Sequence, residues 1–177
     1  MNHFRALLNP APQSTPRDDQ DRASKGLAKV VRVSNLHWWK DRDNTPSTGE
    51  RLLLVVAPYS QYDLILLDLI DAGLKSAKSP GVQVYVANLL DYASQEQLEA
   101  DIPGIGRVHQ TPLAAFWETG KPMQSAWGKK GRDLAAEVIG LPADELNRQI
   151  MAEYSARRGS PDPTAGPTEG LHEPVGR

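Results

Sequence analysis

Two kinds of apolar run alternate along this chain. Some are continuous, as in "RLLLVVA" (51–57) and "VQVYVANL" (82–89). Short runs rich in β-branched residues and bounded by turn signals predict strands buried on both faces. Elsewhere the apolar residues recur three and four apart. Leu64, Leu67, Leu74 and Ala77 share one face of a helix expected from Ser60 or Asp63 to about Lys78, with Lys75 and Lys78 at its negative end and Ser79-Pro80-Gly81 stopping it. "KVVRVS" (29–34) alternates in the strand manner, and Asn35 after it suits the cap of a short helix over 36–42, with loop to Gly49. "SQEQLEADI" (94–102) predicts a helix with Ser94 as cap and Gln97 as its capping-box partner. "LAAFWE" (113–118) reads as a strand that turns at Thr119-Gly120-Lys121 into "PMQSAWG" (122–128). Residues 131–140 are helical, and Leu141-Pro142 starts a further helix to about Arg157.

The order β-α-β-α-β-α-β-β-α, then an extra helix, implies an α/β fold. Alternating βα units give parallel strands joined by crossovers, and the closing hairpin makes the sheet mixed. Both ends fall outside this pattern. Residues 9–26 are rich in Pro, Ser and charge, and residues 159–177 carry four prolines and four glycines. Such segments bury too little apolar area to offset chain entropy and are expected to be disordered or arm-like. The expected organisation is an N-terminal arm over 1–27, a domain over 28–140, the extra helix over 141–158 and a tail over 159–177. Within the first arm, Phe4, Leu7 and Leu8 form a compact apolar patch on a polar tether, the layout of a docking peptide.

Charge and composition narrow the chemistry. Twenty basic and 22 acidic residues give a net charge of −2, which offers no electrostatic case for nucleic acid as a partner. No apolar run approaches the roughly 20 residues of a transmembrane helix, and "MNHFRALLNPAP" carries too short an apolar patch for a secretory signal. A cytoplasmic protein is the expectation, which remains compatible with a membrane-associated complex. There is no cysteine, so disulfides, thiolate catalysis and sulfur-ligated metals are excluded. His3, His37 and His172 show no metal-ligand spacing with a carboxylate, and "GIG" (104–106) precedes no helix start and is no phosphate cradle. No metal or cofactor is expected.

Over about residues 28–140 the chain resembles the thioredoxin-like superfamily. "VVAPYSQYD" (55–63) is similar to the strand, Ala-Pro, aromatic and Cys-x-x-Cys of thioredoxins, with Ser60 and Asp63 at the two cysteine positions. "HQTP" (109–112) resembles the family's cis-proline loop, which implies a cis Thr111-Pro112 peptide. "FWETGKPM" (116–123) resembles the hairpin between the last two strands, and "AWGKKGRDLAAEVI" (126–139) the strand-end glycine with the C-terminal helix. The departures concern chemistry. Leu54 stands where active thioredoxins keep a buried proton-relaying aspartate, Tyr62 replaces the proline between the cysteines, and Asp68 replaces the helix-kinking proline. Both thiols and their proton relay are missing together, and a serine hydroxyl at neutral pH cannot attack a disulfide as a thiolate does.

Each candidate residue has a structural and a functional reading. Ser60 and Asp63 suit a helix N-terminus, where their oxygens accept free backbone N–H groups. They also suit a hydrolytic arrangement of Ser60, His109 and Asp63, or a glutathione-transferase-like serine. Thr111 and Pro112 suit a tight loop, or a loop that offers backbone groups to an extended peptide. Of Trp38, Trp39, Trp117 and Trp127, an exposed one suits an interface anchor. Leu146, Ile150 and Tyr154 lie at i, i+4, i+8 in the last helix and suit either packing or a partner's groove. The resemblance without the thiols implies a non-catalytic protein-binding module: a peripheral subunit, adaptor or chaperone-like accessory factor whose partners are other proteins. Its expected surfaces are Tyr59, Ser60, Tyr62, Asp63, Thr111 and Pro112 as an inherited peptide face, Leu146, Ile150 and Tyr154 on the last helix, and Phe4, Leu7 and Leu8 on the arm. The alternative is a thiol-independent enzyme using Ser60 with His109.

Overall fold

The centre of the molecule is the strand whose apolar run is unbroken. Leu52, Leu53, Leu54, Val55 and Val56 are all fully buried, because successive side chains point to opposite faces and both faces are covered. A computed structural model describes residues 17–44, 49–76 and 81–159. In chain order the elements are α1 (Arg17–Val33), β1 (His37–Trp38), a 3-10 turn (Trp39–Asn44), β2 (Glu50–Val56), α2 (Gln61–Ser76), β3 (Val82–Asn88), a short 3-10 turn (Leu89–Asp91), α3 (Gln95–Asp101), β4 (Leu113–Trp117), β5 (Gln124–Trp127), α4 (Gly128–Val138) and α5 (Ala143–Gly159).

The strands form one mixed sheet in the order β1-β3-β2-β4-β5. β1, β3 and β2 run parallel, with Leu54 opposite Val86. β4 lies antiparallel to β2, and β5 antiparallel to β4. This is the expected α/β architecture, a thioredoxin-like mixed sheet flanked by helices. On one face Leu52, Leu54, Val56, Val84 and Val86 meet side chains of α1, α2, α4 and α5. On the other, Leu53, Val55, Tyr85 and Ala87 meet Trp39, Leu98 of α3, and Ile102, Ile105 and Val108 of the loop that follows it.

The N-terminal part differs from the sequence reading. Residues 29–34 are not a strand, and residues 17–27 are not an arm: α1 takes in 17–33 and ends just before Ser34. Leu27 and Val31 are buried at helical spacing, with half-buried Val30 beside them, while Val33 is 68% exposed. The alternation of Val31 and Val33 was therefore coincidental, and the i, i+4 pair decides the period. Asp18 and Asp19 in the first turn and Arg32 in the last match the helix dipole. The expected helix over 36–42 is instead the short strand β1 followed by a 3-10 turn. Phe4, Leu7 and Leu8, like residues 160–177, lie outside the described residues.

The last helix also differs from one of its two readings. Leu146 and Ile150 are 2% and 1% exposed and belong to the main core, so this stripe is not a free docking surface. In α2 the buried apolar residues are Ile65, Leu66, Leu67 and Ile70, with Leu64 and Leu74 only partly buried, and the expected end at Ala77, Lys78, Ser79 and Pro80 lies outside the described residues. Ser94 caps α3, its Oγ accepting the Gln97 N–H at 3.3 Å, while Gln97 Oε1 accepts from Ala93 N–H, one residue earlier than the expected box.

Two glycines in helices give opposite expectations. Gly131 of α4 sits against backbone: a Cβ there would lie 2.7 Å from the Pro112 carbonyl oxygen and 2.9 Å from that of Ala126. Gly26 of α1 has nothing within 4 Å of the same atom. Gly131→Ala is expected to destabilise by about 1–3 kcal/mol through overpacking, and Gly26→Ala to stabilise by about 0.5–1 kcal/mol through helix propensity. Chemical denaturation of the two variants measures both signs. By the same assay Ile150→Ala is expected to lose about 2–5 kcal/mol, whereas Met151→Ala, at a position 53% exposed, stays within about 0.5 kcal/mol of the wild type.

Candidate functional site

The candidate site forms where β2 hands over to α2. After Val56 the chain turns through buried Ala57 and Pro58, and the Ser60 N–H donates to the Ala57 carbonyl at 2.9 Å. Ser60 then caps α2. Its carbonyl accepts the Leu64 N–H at 3.1 Å, and its Oγ accepts the Asp63 N–H at 3.3 Å. Asp63 reaches back past the cap: its Oδ2 accepts the Ala57 N–H at 2.9 Å. One carboxylate thus ties the end of the strand to the first turn of the helix.

Asp63 is 1% exposed, and its Oδ1 is sealed from solvent without a well-formed hydrogen bond. Burial pushes its pKa from 3.8 up to about 6, because a carboxylate loses hydration that a carboxylic acid does not need. The Ala57 N–H, then the Thr111 and Ser60 hydroxyls, and finally the charge of Arg132 pull it partly back.

Thr111 brings in the second element of the site. The Thr111-Pro112 peptide is cis. Pro112 is buried, and its carbonyl accepts the N–H of Gly128, which adopts a positive φ of 60° at the end of β5. Thr111 stays half-buried beside Asp63, outside the strand ladder that begins at Leu113. Next to it, the His109 and Trp127 rings meet at 5.2 Å, and Trp127 is 43% exposed. Tyr62 points the other way and stacks on Tyr154 of α5 with ring centroids 4.0 Å apart.

The structure therefore brings together Ser60, Asp63, Thr111 and Pro112, as the sequence suggested, with half-buried Tyr59 beside Ser60 on the same turn. It turns Tyr62 and Tyr154 toward each other, so both rings spend a face on an intramolecular stack. His109 packs on Trp127 and makes no hydrogen bond to Ser60 or Asp63, so the hydrolytic alignment is not formed. Among the described residues no group of three His, Asp or Glu stands together as metal ligands, and no helix is long and apolar enough to cross a membrane. Sequence reasoning treated His109 and Trp127 separately. Their pairing follows from the register, since Leu113 lies opposite Trp127 and so brings the residues before Leu113 alongside Trp127.

A raised carboxyl pKa in the native state means that folding takes up a proton between pH 4 and 6. Asp63 accordingly favours the native state most below about pH 4, and that contribution falls as pH rises and is lost above about pH 6. Relative to Asp63→Asn, the wild-type unfolding free energy should decline across this window by about 2–3 kcal/mol, measured by urea titrations at successive pH values. A difference that is flat with pH would contradict the buried, proton-binding carboxyl. No protein-family model matches this chain, and no curated protein matches it at a significant level.

Proposed function

We propose that this chain is a redox-inactive member of the thioredoxin-like superfamily that works as a non-catalytic protein-binding module: a cytoplasmic adaptor, chaperone-like factor or peripheral subunit of a larger assembly. One observation carries the reading. The two residues at the dithiol positions are occupied inside the protein, Ser60 as the cap of α2 and Asp63 as the clamp on Ala57. Groups committed in this way hold a loop in place and leave no free nucleophile beside a base.

What remains outward is a recognition surface. Thr111 precedes the cis-proline and adjoins exposed His109, Gln110 and Trp127. An extended peptide laid along this loop would pair with backbone at Thr111 and cover the Trp127 ring, the kind of aromatic anchor that dominates binding energy. Pro112 supports the loop from inside, and the mutual stack of Tyr62 and Tyr154 fixes α5 against the same helix.

Native co-purification from the source cells tests this. The wild-type chain should bring down a defined set of proteins, Trp127→Ala should lose that set, and Ser60→Ala should keep it. A wild-type chain that elutes alone and monomeric would overturn the reading, as would a partner set unaffected by Trp127→Ala.

A further inference from the structure

At the opposite end of β2, about 17 Å of strand from Val56, lies a cleft of about 490 Å³ lined by Trp39, Arg42, Arg51, Ile102, Pro103 and Trp117. Its wall is aromatic. Trp39 and Trp117 stack with centroids 5.5 Å apart and 11° between planes, and the Arg42 guanidinium lies 4.4 Å over the Trp39 ring. Its charges are unevenly satisfied. Asp101 accepts from Trp39 Nε1 at 3.1 Å, from the Tyr92 hydroxyl at 2.7 Å and from Arg42 Nη2 at 2.8 Å, and Arg42 Nη1 donates to the Trp39 carbonyl at 3.1 Å. That carboxylate is saturated. Glu118 is paired with a different cation, Lys121, at 2.8 Å.

Arg51 is left over. Paired across the sheet with Trp117, it lies on the same face as that ring. Its Nε is buried without an acceptor, and none of the ion pairs among the described residues includes Arg51. Arginine keeps its charge at any pH the fold survives, so its terminal nitrogens favour an anionic acceptor over a neutral one.

We propose that this cleft binds a small aromatic carboxylate, its carboxylate meeting the terminal nitrogens of Arg51 and its ring lying against Trp117 and Pro103. A fork of two parallel N–H donors suits a carboxylate, a cleft of this size admits a one- or two-ring ligand, and the indole pair supplies a flat apolar surface. This site is separate from the Ser60–Thr111 surface and does not rest on the function proposed for it.

The test uses the full chain labelled for NMR, following the indole N–H signals of Trp39 and Trp117. Titration with 2-naphthoate at millimolar concentration should shift both signals saturably, while 2-naphthamide, the same shape without the charge, should bind at least about tenfold more weakly. Arg51→Met should bring 2-naphthoate down to the level of the amide. Equal responses to acid and amide on the wild-type chain would overturn the proposal even if the variant failed to fold. So would the absence of any saturable shift, or an Arg51→Met chain that still prefers the acid.

Discussion

The hydrogen bond from the Ala57 N–H to Asp63 Oδ2 is the constraint on which the arrangement of the candidate site depends. It joins the first residue after β2 to the third residue of α2, across the turn between them. A strand end leaves its backbone groups without ladder partners, and a helix start leaves its first N–H groups free. Asp63 answers the first need and Ser60 the second, so two short polar side chains satisfy a junction that is otherwise apolar. The cis-proline loop then leans on this junction through Thr111, and Gly128 binds the Pro112 carbonyl from the far side. Gly131 completes the arrangement, since only a residue without Cβ allows α4 to approach that carbonyl so closely.

Much of the fold was legible because the central elements carry redundant signals. β2 and β3 are continuous apolar runs, α3 has its Ser94 cap, and the hairpin has its glycine, so local propensity and tertiary burial agree. The N-terminal helix was not legible because its buried residues are few. Leu27 and Val31 carry the packing among polar neighbours, and the adjacent Val33 imitates strand alternation while facing solvent. The last helix was legible as a helix but not in its role. An i, i+4 apolar stripe looks the same whether it faces its own core or a partner, and only the packing of α5 on α2 and α4 decides for the core.

The candidate site divides along the same line. Ser60 and Asp63 were readable as helix-start residues because capping is local, within three positions in sequence. The backward reach of Asp63 to Ala57 was not, since nothing in the spacing says which backbone N–H a buried carboxylate will choose. The cluster of Trp39, Arg42, Tyr92 and Asp101 was invisible for a stronger reason. Its members are separated by up to 62 positions and come together only when β1 and its 3-10 turn dock beside α3.

Among the described residues two buried side-chain polar atoms lack a partner, Asp63 Oδ1 and Arg51 Nε, and they stand at opposite ends of the same strand. Their chemistry separates their consequences. A buried carboxylate with one oxygen short of a partner relieves its burial by taking a proton, which is the physical meaning of a pKa of about 6 at a closed junction. A guanidinium has no such route, because it stays charged at any pH the fold survives. A junction sealed by Ala57, Ser60 and Thr111 is therefore complete in itself once Asp63 is protonated or its Oδ2 is engaged. The cleft at Arg51 has an aromatic wall and an arginine that enters none of the ion pairs among the described residues. Relief at the first site is a change of protonation; at the second the guanidinium keeps its charge, and the acceptor must come to it.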